Sequence, residues 1–208
     1  FQELVMTNML SEILDYKKYL SSGDTILQIG ANDGITCEDY GLRELILNKE
    51  FLVHLVEPVP QQFENLKLNY ANSQSQLIFH NIAIWDRTGN CDLVLHGPNN
   101  TESSVVNHEN KDNAIRINVP VVTFSDFISN NNLNNIDALF LDVEGVEDII
   151  IKDLFLQTMI SPKIIRFEYV HLTNLLDVKN MLSENNYHVF FCNFGAGDLI
   201  CIHQDLLP

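Results

Sequence analysis

The chain has 208 residues, 12 Lys and Arg against 28 Asp and Glu for a formal net charge of −16, and 46% hydrophobic residues. That length suits one α/β domain with a full core, and a mean hydropathy near zero is that of an ordinary globular chain. The acidic field repels a phosphate backbone and no basic run offsets it, which argues against nucleic acid. The apolar stretches are strand-sized, far short of the ~20 residues of a membrane span.

Apolar positions Leu4, Val5, Met9, Leu10, Ile13 and Leu14 fall at helical spacing and predict an amphipathic helix within residues 3–20. This sets an N-terminal helical segment (1–22) apart from a main domain (23–208). The pattern then alternates: strand 25–29, helix 37–48, strand 51–56 stopped by Glu57-Pro58, helix 60–70, strand 76–84. Near-continuous apolar strands separated by helices predict parallel pairing with helices on both faces. Two further strands, 91–95 and 115–122, flank a polar loop and predict a β-excursion. A short helix (124–129) precedes strand 136–141, helix 146–157, strand 163–169 and helix 174–186. Strands 187–192 and 199–203 close the chain as an antiparallel hairpin, because a parallel crossover needs a dozen or more residues. Parallel strands ending in such a hairpin suggest the Rossmann-like sheet of class I methyltransferases, seven-stranded with helices on both faces.

No charged segment leading into an apolar one opens the chain, so no secretory signal is read. Cys37, Cys91, Cys192 and Cys201 show no C-x-x-C pairing. Cys192 and Cys201 could face each other across the hairpin, but buried free thiols are the preferred reading and a reducing, cytoplasmic setting the default. The chain begins at Phe1, which is compatible with excision from a longer polypeptide whose other domains would be neighbours.

Gly30 and Gly34 sit where the first strand turns toward a helix, at the carboxyl edge where open α/β sheets bind ligands. A dinucleotide site wants G-x-G-x-x-G, but Asn32 and Ile35 replace its second and third glycines and Asp33 would repel a pyrophosphate. S-adenosylmethionine has no phosphate and is cationic, so Asp33 suits it. Glu57, ending the second strand, stands where a carboxylate accepts both ribose hydroxyls.

At these residues the sequence resembles the FkbM-type methyltransferases, a class I family. The matching blocks are Ile29-Gly30-Ala31-Asn32-Asp33-Gly34, Val56-Glu57-Pro58, Asn81-Ile82-Ala83-Ile84 and residues 136–147 around Asp142-Val143-Glu144-Gly145. The resemblance implies that Gly30, Ala31, Asn32, Asp33 and Gly34 wrap the amino-acid end of S-adenosylmethionine and that Glu57 and Pro58 hold the ribose. It places Asn81, Ile82 and Ala83 beside the adenine and Ser104, after Ser103, near the cofactor. Gln28 departs from the family, which more often has Asp there.

Methyl transfer to a hydroxyl needs alignment of donor and acceptor and removal of a proton. Asp142 and Glu144 after one strand and Glu168 and His171 after the next are the catalytic candidates, and Asp142 also belongs to the cofactor site. Since parallel strands end on one edge, Asp142 and Glu168 should converge. They would either bind a divalent metal (Mg or Mn) that acidifies a diol, or one would serve as base with its pKa raised by the other. Glu147 reads as an acid opening a helix, His54 as a satisfied core histidine, and Trp85 as packing. The expected activity is O-methylation of a sugar or glycan, with a polyketide-like metabolite as alternative acceptor and a non-catalytic nucleotide-binding module as the rival from another class.

Overall fold

The computed structural model describes residues 16–36, 41–95, 103, 115–192 and 197–208, with backbone alone at 191 and 192. In chain order the elements are β1 (Thr25–Ile29), α1 (Leu42–Asn48), β2 (Leu52–Val56), α2 (Pro60–Asn69), β3 (Gln76–His80), β4 (Ala83–Ile84), β5 (Gly89–Leu95) and β6 (Ile115–Val122). There follow α3 (Phe124–Asn130), β7 (Ala138–Leu141), α4 (Glu147–Gln157), β8 (Ile164–Glu168), α5 (Leu175–Glu184), β9 (Tyr187–Cys192) and β10 (Asp198–His203). Local chemistry marks the helix starts: Pro60 opens α2, and the Thr123 side chain caps α3 by accepting the Asp126 N–H.

The main sheet is seven-stranded in the order β3-β2-β1-β7-β8-β10-β9. Every neighbouring pair is parallel except those made by β10, which runs antiparallel to β8 and β9. The strand order runs outward from β1 and β7 in opposite directions, and the crevice beyond their carboxyl ends is the topological switch point where such sheets bind ligands. Both faces are covered. Leu27, Ile29, Leu139, Leu141, Ile165 and Phe167 pack with residues of α3, α4 and α5, while Ile26, Val53, Leu55, Phe140 and Ile164 pack with α1 and α2.

The sequence predicts one strand over 76–84, and the chain makes two. β3 stays in register with β2 as far as His80↔Val56. Beyond it Asn81 turns its amide nitrogen onto the carbonyls of Glu57 (2.8 Å) and Pro58 (3.1 Å). β4 then leaves for a second sheet, parallel to β6, which is itself antiparallel to β5. This is the expected excursion, with its own small core of Val59, Ala83, Cys91, Leu93, Val119 and Val121.

Of the predicted leading helix, residues 3–15 lie outside the described residues; Tyr16–Tyr19 form a 3-10 turn whose buried Tyr16 ring meets Phe140 edge-on. Cys91 and Cys201 are buried free thiols, and the hairpin register sets Cys201 opposite Val189 and Cys192 opposite Asp198, so the two thiols are not cross-strand partners. At the amino edge of the sheet, Lys163 bridges Asp24 (2.9 Å) and Asp137 (3.0 Å), tying together the segments that lead into β1, β7 and β8. Among the described residues no helix is long and apolar enough to cross a membrane.

His54 is the satisfied core histidine the sequence suggests. It is buried, its Nδ1 lies 2.9 Å from His80 Nε2, and the two rings stack. Desolvation pushes both pKa values down, that of His80 to about 4 with help from His54. Both imidazoles stay neutral in the fold but bind protons in the unfolded chain below about pH 6.5, so their contribution is full above that pH and is lost as pH falls below it, for His80 toward 4. Urea denaturation between about pH 7 and about pH 5 should therefore cost wild type more stability than a His80→Leu variant. Equal losses in the two proteins would contradict this assignment.

Candidate active site

The β1 loop is shaped by contacts only glycine allows. Gly30 has φ +83°, and a Cβ there would sit 1.8 Å from the Asp142 carbonyl oxygen, so the end of β1 passes directly against the end of β7. Gly30 and Ala31 both donate N–H to the Val56 carbonyl. A Cβ on Gly34 would meet the Tyr70 ring at 2.3 Å, which fixes the loop against the end of α2. Asp33 turns its carboxylate inward to accept the Ile35 and Thr36 N–H groups and the Thr36 hydroxyl. Partial burial pushes its pKa up, but the Thr36 and Ile35 donors outweigh that and hold it below the ordinary value.

Glu57 is 4% exposed. Its Oε2 accepts the Asn32 N–H and its Oε1 the Val59 N–H, each at 2.8 Å. Burial nevertheless pushes its pKa up to about 7 against these hydrogen bonds. Each oxygen keeps a further acceptor position.

Between this loop, Glu57-Pro58, β4 and the turn after β7 lies a cavity with about 570 Å³ of empty space, its mouth included. Of the residues expected to hold a cofactor, Gly30, Asn32, Glu57, Pro58, Ile82, Ala83 and Asp142 line it, as does Glu144 of the catalytic candidates. Ala31, Asp33, Gly34 and Asn81 do not; Ala31, Gly34 and Asn81 hold the loops that do, through the contacts given above. Ser104 lies outside the described residues, whereas its neighbour Ser103 lines the cavity. Sequence reasoning missed Leu93, Val143 and Val146 in the wall. Leu93 arrives from the second sheet, and no local pattern announces that.

An acidic row continues from the cavity along the sheet edge. Leu141 pairs with Phe167 and Glu168 with Asp198, so Asp142, Glu168 and Asp198 stand abreast as anticipated for the first two. Arg166 supplies counter-charge, 3.0 Å from Asp198. Burial pushes Asp142 up to about 6, eased by Arg166 and reinforced by Asp198. Burial, then repulsion from Asp142, Glu147 and Asp198, pushes Glu168 up to about 7. Its Oε2 is sealed from solvent without a hydrogen-bond partner among the described residues. His171 Nε2 lies 3.2 Å from Glu144 Oε2, and Glu144, Glu168 and His171 each bring a ligand atom within 4.8 Å of the others, a set that could hold a divalent cation. The expected pair of Asp142 and Glu168 is not that set. Asp142 belongs to the cavity wall, and Glu144 takes its place beside Glu168. Glu147 opens α4 as expected, and it does so 1% exposed.

The Methyltransferase FkbM domain matches residues 28–189. The chain belongs to the FkbM methyltransferase family. Among solved structures it superposes on the FkbM methyltransferase of Methylobacillus flagellatus KT with TM-score 0.57 at 17% identity, over 88% of this chain and 44% of that one. It thus spans under half the length of that protein. Lower similarity extends to a ribosomal protein L11 methylase of Lactobacillus delbrueckii subsp. bulgaricus (TM-score 0.48, 12% identity, 95% and 78% of the two chains). It extends likewise to the fibrillarin of Aeropyrum pernix with natively bound S-adenosyl-L-methionine (TM-score 0.49, 10% identity, 88% and 67%). No curated protein matches the sequence.

The sheet of this FkbM domain is therefore the class I methyltransferase sheet expected from the sequence, with the small β4–β6 sheet inserted after β3. Its site depends on the β1 and β7 termini touching. Gly30→Ala should destabilise the domain by about 2–5 kcal/mol, from a left-handed non-glycine residue and an overpacked contact together. Chemical denaturation measures this; a loss within experimental error would mean that the two termini do not meet as described.

Proposed function

We propose that this FkbM domain binds S-adenosylmethionine in the cavity and transfers its methyl group to a hydroxyl of a sugar or glycan. The observation that carries the donor half is Glu57, a buried carboxylate at the end of β2 with acceptor positions left over, in the wall of a cavity that is apolar on one side and acidic on the other. Glu57 would take the ribose hydroxyls, and Ile82, Ala83 and Leu93 the flat apolar base. Gly30, Asn32 and Asp142 would face the cationic amino-acid end. S-adenosylmethionine, when bound, supplies an electrophilic methyl on a sulfonium.

The acceptor half rests on the edge beyond Asp142. A hydroxyl placed there must give up its proton, and Glu168, poised at about 7 and lacking a partner at Oε2, is the base that receives it. Glu144 and His171 orient the hydroxyl beside it. A second reading has Glu144, Glu168 and His171 holding Mg or Mn, which would acidify the hydroxyl by direct ligation; their mutual approach favours it. The sugar or glycan assignment is supported by the sequence resemblance to FkbM-type proteins.

Calorimetry should detect S-adenosylmethionine and its demethylated product and give no signal with NAD. Glu57→Ala should abolish that binding, and unaltered affinity in the variant would refute the ribose assignment. A labelled-methyl screen against sugars and glycans should find the acceptor. With it, the rate should rise with pH through about 7 as Glu168 ionises, and Glu168→Gln should lose ~10²–10⁴-fold in turnover together with that pH limb. A variant that keeps both is not missing its base. Full activity after EDTA treatment would exclude the metal reading.

A further inference from the structure

Five residues, 142–146, carry the chain from the end of β7 into α4, and Asp142, Val143, Glu144 and Val146 among them line the cavity. The Asp142 N–H is used by β1, donating to the Ile29 carbonyl. Further along, the backbone bends sharply: Glu144 has φ +58° and Gly145 φ +106°. A left-handed non-glycine residue is strained and persists only where its surroundings fix it. What fixes it is Glu147, whose Oε1 accepts the Val143 N–H and whose Oε2 accepts the Gly145 N–H, each at 3.0 Å. The two gripped amides bracket Glu144, and the side chain so aimed ends 3.2 Å from His171.

A solvated glutamate would open a helix just as well, so the first turn of α4 does not demand this burial. Both oxygens must accept at once, which only a carboxylate can do. A glutamine in the same place offers one acceptor and sets an N–H₂ against the other backbone N–H. The buried carboxylate is therefore matched to the turn rather than to the helix.

We propose that Glu147 is a positioning residue for methyl transfer: by holding the Val143 and Gly145 amides it aims Glu144 at His171 and the acceptor, without touching donor or acceptor itself. This rests on the reading of the site given above, and its test is chosen to stand apart from it. The readout is the imidazole region of ¹H–¹³C spectra of the full chain with ¹³C-labelled histidine, the His171 peak being identified by its loss in His171→Asn. Glu144→Gln removes the charge beside His171 and should move that peak. Glu147→Gln should move it in the same direction while the peak of the distant β9 residue His188 stays, and the double variant should move it no further than Glu144→Gln alone. In parallel, S-adenosylmethionine should bind Glu147→Gln within about tenfold of wild type, since Glu57 is intact, while turnover on an acceptor found by methyl screening falls roughly tenfold to a hundredfold.

A His171 peak unmoved in Glu147→Gln overturns the proposal, as does a general shift of all histidine peaks. Should Glu147→Gln not fold, Glu147→Asp, too short to reach both amides, makes the same test; if neither folds, Glu147 serves the fold alone and the proposal falls. Failure of wild type to bind S-adenosylmethionine would sink the functional reading while leaving the His171 signature to decide the role of Glu147.

Discussion

Glu57 and Glu147 each bury a carboxylate beneath a turn and hold two backbone N–H groups with it, and the two walls of the cavity are built on these grips. Without them, the amides of Asn32, Val59, Val143 and Gly145 would need other partners, at a cost of about 1–3 kcal/mol for each left buried and unpaired. Withdrawing a carboxylate from water is itself costly by several kcal/mol, and two charge-assisted hydrogen bonds offset part of it. The imbalance shows in both pKa values, pushed up to about 7 by burial. A raised carboxyl pKa makes the folded state bind protons that the unfolded chain releases above about 4.5, so these two groups hold the domain less firmly as pH rises toward 7. The domain keeps them where the backbone must be held in unusual conformations: Asn32 at φ +48° and Glu144 at φ +58°.

The sheet brings these two turns together. β1 and β7 are adjacent and parallel, so their carboxyl ends emerge side by side, and Gly30 lets them approach to contact. The same register sets Asp142, Glu168 and Asp198 in a row, with Arg166 close by as counter-charge. Burial, reinforced by repulsion within the row, raises Asp142 and Glu168 into the range in which carboxyl groups exchange protons near neutral pH. A cationic ligand is electrostatically welcome at such an edge and a phosphate is not, which agrees with the acidity of the whole chain.

Much of this was legible in the sequence because it follows from periodicity and chain order. Apolar runs separated by helices dictated parallel strands, and the short 193–198 link dictated the antiparallel hairpin. The convergence of Asp142 with Glu168 followed from their places at neighbouring strand ends. The rest depended on long-range partners. The break between β3 and β4 was hidden because apolar residues continue through Ile82, while the cause is an Asn81 amide drawn to carbonyls 23 and 24 positions earlier. Leu93 reaches the cavity through the folding of a separate sheet. Glu147 carries the same local signal whether it faces water or the turn behind it, and only the positions of the Val143 and Gly145 amides distinguish the two.

Amide hydrogen exchange with and without S-adenosylmethionine tests most directly whether the donor occupies the cavity between the two carboxylate grips. Occupancy should slow exchange at Asn32 and Val59 and at Val143 and Gly145 together, since the ligand would stabilise both turns against opening, and leave the amino-edge amides near Asp24 and Asp137 unchanged. No change at either turn, or protection confined to another part of the surface, would contradict it.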